Sequence, residues 1–248
     1  MMLLVDAGNT RVKWALAAPD AAPGAWHAQG AVAHDRLDEL AAAWAAAGGV
    51  TRALVSNVAG ADLAERLAAV LPDGAGVEWF ASTAERAGLC NGYREPGRLG
   101  CDRFAAAIGA RALAPGQDLI VATCGTATTV DAVSADGRFV GGMILPGLAL
   151  MASSLARNTA QLPQVAPGAL PALFGDNTHD AILAGVLSAQ AGAIERAVAG
   201  HRATTCIVSG GAAPYIAPAL KIAHLVVDNI VLVGLHAAAA STKGKARC

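Results

Sequence analysis

Apolar and polar positions repeat one arrangement twice along this chain. Met2-Leu-Leu-Val-Asp6 is an apolar run of strand length that ends in a carboxylate, and Ala7-Gly-Asn-Thr10 follows with turn chemistry. In Arg11-Val-Lys-Trp-Ala-Leu16, Val12, Trp14 and Leu16 fall on one face and Arg11 and Lys13 on the other, the period of a half-buried strand. Together they predict a β-hairpin with Gly8 and Asn9 at its tip. The arrangement returns at Asp118–Thr123, an apolar strand. Cys124-Gly-Thr-Ala127 then makes a small polar turn, and Thr128–Val133 a strand rich in β-branched residues. Two such hairpins predict two structurally similar halves, with the boundary at Pro115-Gly116: domains 1–115 and 116–248.

Other segments fill in around the hairpins. Leu37, Leu40 and Trp44 at helical spacing predict a helix over 35–48, Ala53–Val58 a strand, and 61–71 an amphipathic helix stopped by Pro72. Glu78–Ala81 reads as a short strand, Asn91–Gly100 as a loop and 102–114 as a helix. The second half continues with a strand over 138–144, a helix over 148–157 and a Pro-punctuated loop over 162–173. A long Ala-rich helix over 178–198, capped by Asn177, comes next, then strands at 205–209 and 223–227, a closing helix over 229–240 and a frayed tail over 241–248. Strands and helices mixed through both halves give an α/β class.

Composition narrows the function classes. The 248 residues are 54% hydrophobic, 15% charged and 4% aromatic, with a formal net charge of −1. So apolar a chain is not disordered, and its core must come from Ala, Leu, Val and Ile. The balanced charge argues against nucleic acid and anionic membrane as partners, which would want a basic face. The longest apolar run, 230–240, is broken by Gly234 and His236 and is too short to span a bilayer, and the Ala-rich helix suits a core or dimer surface. No secretory signal opens the chain, so a soluble cytoplasmic protein is expected. Five cysteines, Cys90, Cys101, Cys124, Cys206 and Cys248, have neither zinc spacing nor the even count of a disulfide framework.

Four places could carry chemistry. A carboxylate at a strand end followed by glycine and small polar residues, Asp6 to Thr10, can hold nucleotide phosphates: glycine admits close backbone approach and successive N–H groups make an anion-binding concavity. The same residues would also make an ordinary turn. Asp6 suits Mg²⁺, which binds through one or two carboxylates plus phosphate oxygens. Gly125-Thr-Ala-Thr-Thr129 offers a second concavity, and Gly210-Gly211 a third close approach, toward the base or ribose. Gly100-Cys-Asp-Arg103 sets a carboxylate beside a guanidinium at a helix start, which would be plain capping or, functionally, a proton acceptor next to a clamp for an acidic substrate. The G-x-G-x-x-G spacing of a dinucleotide fold and the Walker lysine motif are both absent.

Asp6-x-Gly-Asn-Thr10, Tyr93 and Pro96 upstream of Gly100-x-Asp-Arg103, Gly125-Thr-Ala-x-Thr129 and Gly141-Gly-x-Ile-x-Pro-Gly147 occur in this order. The set resembles type III pantothenate kinase, over nearly the whole chain. The resemblance implies the superfamily of acetate and sugar kinases, Hsp70 and actin, with two ribonuclease-H-like domains and a nucleotide cleft between them. It implies phosphorylation of pantothenate by ATP, the first committed step of coenzyme A synthesis, in a homodimer. Residue by residue, it implies a first phosphate loop of Asp6, Ala7, Gly8, Asn9, Thr10, Arg11, Val12 and Lys13, with Asp6 toward Mg²⁺. It implies a second loop at Gly125 and Thr126, with Gly210 and Gly211 at the adenosine end. Asp102 resembles the general base, and Tyr93, Gly100, Cys101, Arg103 and Thr178 the pantothenate-binding residues. A monovalent cation, K⁺ or NH₄⁺, is also implied, but Thr123 stands where the family has an acidic ligand, and a neutral hydroxyl is a poorer one. A nucleotide-binding accessory protein without kinase activity and a kinase of another small hydroxy acid are the competing readings.

Overall fold

The computed structural model describes residues 1–166, 168 and 170–241. In chain order the elements begin with β1 (Met2–Ala7), β2 (Arg11–Ala17), β3 (Ala28–Ala33), α1 (Asp38–Ala47), β4 (Arg52–Asn57) and α2 (Ala61–Ala68). β5 (Gly76–Trp79), β6 (Glu85–Arg86), β7 (Leu89–Asn91) and α3 (Cys101–Leu113) follow, then β8 (Leu119–Cys124), β9 (Ala127–Val133) and β10 (Arg138–Pro146). The chain continues with α4 (Leu148–Asn158), α5 (Thr178–His201), β11 (Thr205–Ser209), α6 (Ala213–Ile216), β12 (Leu225–Val227) and α7 (Ile230–Ala240). The tail from residue 242, expected to be frayed, lies outside the described residues.

The chain divides into two compact units. The first holds residues Met1–Pro115, Gly137–Phe139 and the closing helix. Its sheet runs β3-β2-β1-β4-β5. β1 and β2 form the expected antiparallel hairpin, with Ala7 opposite Val12, and β4 lies parallel to β1 on its other side. One face buries Leu3, Val5, Trp14, Leu40, Trp44 and Leu67 in a common core. β3 escapes a reading of the sequence because Ala-Gln-Gly-Ala-Val-Ala has little strand propensity. It forms because Gly30 sits opposite Trp14 and leaves room for the indole: a Cβ there would lie 2.9 Å from the ring.

The sequence places α7 with the second half; the fold returns it to the first unit, against α3. Two glycines explain this. A Cβ on Gly234 would lie 1.7 Å from the Ala105 carbonyl oxygen, and one on Gly109 would lie 2.5 Å from that of Ile230. The helices touch backbone to backbone there, which no larger residue permits.

The second unit holds Gly116–Asp136 and Val140–Asn229. Its strands belong to a seven-stranded sheet of order β12-β11-β8-β9-β10-β7-β6, in which β10-β9-β8-β11-β12 repeats the strand order of the first unit. β8 and β9 form the second hairpin, with Cys124 opposite Thr128, and β11 lies parallel to β8. α5 is long and apolar enough to cross a membrane by length and composition. Here Val186, Leu187, Ala191 and Ile194 press into a core with Ile120 and Val208, so it serves as the central helix of this unit. Cys101, Cys124 and Cys206 are free thiols, whereas Cys90 is disulfide-bonded, against the sequence reading.

Candidate active site

In the first unit the expected phosphate loop caps the β1–β2 hairpin. Asp6 is 8% exposed and sits in register with Lys13 on β2 and Ser56 on β4. The Gly8 N–H donates to the Arg11 carbonyl at 3.1 Å, closing the turn, and Asn9, Thr10 and Arg11 face solvent. A Cβ at Gly8 would meet only the Arg11 oxygen, at 3.5 Å. The fold itself therefore tolerates a side chain here, and the bare backbone suits something approaching from outside. His34, which no motif marks, donates from Nε2 to the Gly8 carbonyl at 2.9 Å. Its own carbonyl accepts from Arg66 of α2. The loop is thus tied to the body of the unit by a side chain from beyond β3.

Also in this unit, α3 starts at the end of a loop that Asn91 organises. Asn91 accepts from the Tyr93 N–H at 3.1 Å and donates to the Pro96 carbonyl at 3.0 Å. Asp102 lies in the first turn of α3, where the helix dipole favours an anion. Its Oδ1 accepts from the Arg103 N–H at 2.8 Å. Burial nevertheless pushes its pKa above the ordinary carboxylate value, against the lowering pull of that bond and of the Arg103 charge. Arg103 is 7% exposed and donates to the Tyr93 hydroxyl at 2.8 Å. Its guanidinium lies 5.7 Å from the ring centres of both Tyr93 and Phe139. Gly100 has to be glycine for this arrangement, since a Cβ would lie 2.6 Å from Asp102 Oδ1.

Cys101 points elsewhere: Sγ lies 3.3 Å from Ser56 Oγ and 3.5 Å from the Asn57 carbonyl, and burial raises the thiol pKa. Tyr93, Gly100, Asp102 and Arg103 are therefore brought together, whereas the Cys101 side chain turns back to β4.

The second unit carries the other hairpin. Gly125, Thr126 and Ala127 are exposed, and the Gly125 N–H donates to the Ala127 carbonyl at 3.0 Å. A Cβ at Gly125 would make only an ordinary contact, as at Gly8. The glycines beneath it are different. A Cβ at Gly147 would lie 2.1 Å from the Gly125 carbonyl oxygen, and one at Gly210 2.3 Å from that of Cys124, with Gly210 at φ +97°. Gly147 donates to Thr126 O, and Ala212 to Cys124 O, each at 2.9 Å. Gly210 is thus brought against the loop, while Gly211 is exposed beside it. Thr178 opens α5, capped by Asn177, whose Oδ1 accepts from the Asp180 N–H at 3.0 Å. Together with Asp176 and Met151 it lines a groove of about 660 Å³, and it is not among the residues the first unit gathers.

Metal binding can be tested against these residues. Among the described residues no three His, Cys, Asp or Glu side chains are grouped to hold an ion. Asp6, a single carboxylate beside a loop, fits Mg²⁺ held mostly by phosphate oxygens. Thr123 Oγ1 and that of its cross-strand partner Thr129 are buried without hydrogen-bond partners. They offer neutral oxygens where the resemblance expects an acid, and a neutral hydroxyl is a poorer cation ligand than a carboxylate.

The chain matches the family type III pantothenate kinase over residues 2–200. It is 56% identical to the type III pantothenate kinase of Herminiimonas arsenicoxydans, covering 98% of each chain. A solved structure from Campylobacter jejuni, provisionally described as a Baf family transcriptional activator, is 21% identical with a TM-score of 0.62, covering 94% of each chain. One from Sinorhizobium meliloti, provisionally described as a 2-dehydro-3-deoxygalactonokinase, is 19% identical with a TM-score of 0.56, covering 97% of this chain and 98% of the other. At such identities the solved structures show the fold alone, an α/β arrangement of two ribonuclease-H-like domains.

Proposed function

The chain belongs to the type III pantothenate kinase family, and on that premise we propose how its residues carry out ATP-dependent phosphorylation of pantothenate, the first step of coenzyme A synthesis. The observation that carries the proposal is the pair at the start of α3: a half-buried carboxylate of raised pKa beside a guanidinium held by two aromatic rings. Phosphoryl transfer asks the protein mainly for positioning and charge stabilisation. Arg103 holds the pantothenate carboxylate, with Tyr93 setting the angle of its fork. Asp102 faces the primary hydroxyl of the acceptor. Since Oδ1 serves the Arg103 N–H, Oδ2 receives the hydroxyl proton as the new phosphorus–oxygen bond forms and the bond to the ADP oxygen breaks. A carboxylate made more basic by burial is better suited to that step than an ordinary one.

Each loop, 6–13 in the first unit and 125–126 in the second, is a phosphate loop by itself, with backbone N–H groups and the Asn9, Thr10 and Thr126 side chains as donors. Gly210 and Gly211 admit the adenosine end. Mg²⁺, reached through Asp6, supplies neutralisation of phosphate charge when bound. The Gly100–Cys101 backbone belongs to the same pantothenate site, and Thr178, in the second unit, is a pantothenate-binding residue by the family resemblance alone. Thr123 is a poorer ligand for a monovalent cation than the acid the resemblance expects. The homodimer and the cytoplasmic setting are part of the same proposal, and light scattering on the purified chain tests the first.

The experiment is ADP release with and without pantothenate. Release that requires pantothenate, and a KM for pantothenate that rises in Arg103→Ala while that for ATP holds, supports the reading. Release indifferent to pantothenate contradicts it.

A further inference from the structure

Gln190 is a polar side chain in the wrong place for a polar side chain. It lies on α5 at 0% exposure, among the apolar residues that make the core of the second unit. Its Nε2 donates to the Pro146 carbonyl at 2.6 Å and reaches Met151 Sδ at 3.5 Å. Its Oε1 is buried with no hydrogen-bond partner among the described residues. Burying an unsatisfied carbonyl destabilises the fold, so the amide needs a reason beyond packing.

The peptide it touches supplies one. Pro146 and Gly147 share a trans peptide, in which C=O and N–H point in opposite directions. With the Pro146 oxygen held on the core side by Gln190, the Gly147 N–H is turned the other way, where it donates to the Thr126 carbonyl at 2.9 Å. That bond fixes the Thr126–Ala127 peptide in turn, whose N–H, opposite the carbonyl across a trans peptide, points away from Gly147 at the exposed residue Ala127. The chain of contacts thus runs from a buried amide to the outward face of the second loop through two peptide planes.

We propose that Gln190 is a positioning residue for nucleotide phosphate, setting the orientation of the Gly125–Thr126 loop through the Pro146–Gly147 peptide. The proposal rests on the reading of that loop as a phosphate loop. Folding alone gives glutamine no advantage over methionine here. Glutamine carries a buried, unsatisfied Oε1 that methionine would not, and methionine would leave the Pro146 carbonyl without the Nε2 donor. The two differ in whether the 146–147 peptide is held.

The test compares wild type, Gln190→Met and Gln190→Leu, with Thr126→Ala as reference, by KM for ATP, KM for pantothenate and melting temperature. Gln190→Met is expected to raise the KM for ATP roughly fivefold, the scale of one lost hydrogen bond. The KM for pantothenate and the melting temperature stay at their wild-type values, and Gln190→Leu shifts the KM for ATP in the same direction. An unchanged KM for ATP in both variants overturns the proposal. So does a parallel rise of both KM values with a fall in melting temperature, which would mark general loosening. If Thr126→Ala also leaves the KM for ATP unchanged, the loop does not hold ATP, and the underlying reading fails together with the role of Gln190. A raised value in Thr126→Ala beside an unchanged one in Gln190→Met sinks the role of Gln190 alone.

Discussion

Asp102 stands in the space that a side chain on Gly100 would need: a Cβ built there would lie 2.6 Å from Oδ1. The residue two positions before the proposed base is therefore bare so that the carboxylate can fold back over the helix start and accept the Arg103 N–H. The obstructing atom is the end of a rotatable side chain, so a methyl group at 100 displaces the carboxylate rather than the backbone. Gly100→Ala is expected to fold with a near-normal melting temperature and lose on the order of a hundredfold in turnover, the scale of a misplacement of about 1 Å. Wild-type turnover in this variant would mean that the position of Asp102 does not matter.

The raised pKa of Asp102 gives a stability signature with a definite sign. Between the unfolded and folded pKa values the native state binds the extra proton, so stability falls as pH rises through that window. Below the unfolded value the two states are protonated alike and nothing is lost; above the folded value the loss is complete. A neutral amide in place of the carboxylate carries no such penalty. Asp102→Asn should therefore melt higher than wild type at neutral pH, and the gap should close as the pH drops below the ordinary carboxylate range. A melting-temperature series against pH checks it. In wild type, kcat should decline on the acid side with an apparent pKa above that of an ordinary carboxylate.

The α3–α7 contact makes a prediction about stability alone. Alanine in place of Gly234 would gain helix propensity, but its Cβ would meet the Ala105 carbonyl oxygen at 1.7 Å, and neither helix can yield without opening the interface. Gly234→Ala is expected to lose about 2–3 kcal/mol in urea unfolding, the scale of an overpacked core. A neutral result would show that the two helices are further apart than described.

Thr123 bears on cation use. With a neutral hydroxyl where the family resemblance expects an acid, turnover should be the same in K⁺, NH₄⁺ and Na⁺ salts. Thr123→Asp should introduce a preference for K⁺ or NH₄⁺. A wild-type rate that collapses when Na⁺ replaces K⁺ would contradict this, and would require a ligand other than Thr123.

Much of this architecture is legible in the chain, for physical reasons that differ by element. The hairpins at 2–17 and 119–133 announce themselves because period-two alternation and Gly-Asn or Gly-Thr turns are local signals. β3 is not local: it exists through the fit of Gly30 to Trp14. The return of α7 to the first unit is hidden because a helix apolar on nearly every side carries no address, and Gly109 and Gly234, the one cue, lie 125 residues apart. In the candidate site, Asp102, Arg103 and the glycine-tipped loops stand out as short motifs. His34 and Gln190 do not, since each acts through a single backbone carbonyl far away in sequence and belongs to no pattern.

The central claim is that Asp102 takes the acceptor's proton, and turnover of Asp102→Asn at saturating ATP and pantothenate tests it most directly, with nucleotide affinity measured on the same sample. Removing a general base should cut kcat by about 10²–10⁴-fold and leave the dissociation constant for ATP where it was. An Asp102→Asn variant that releases ADP at the wild-type rate would contradict the claim.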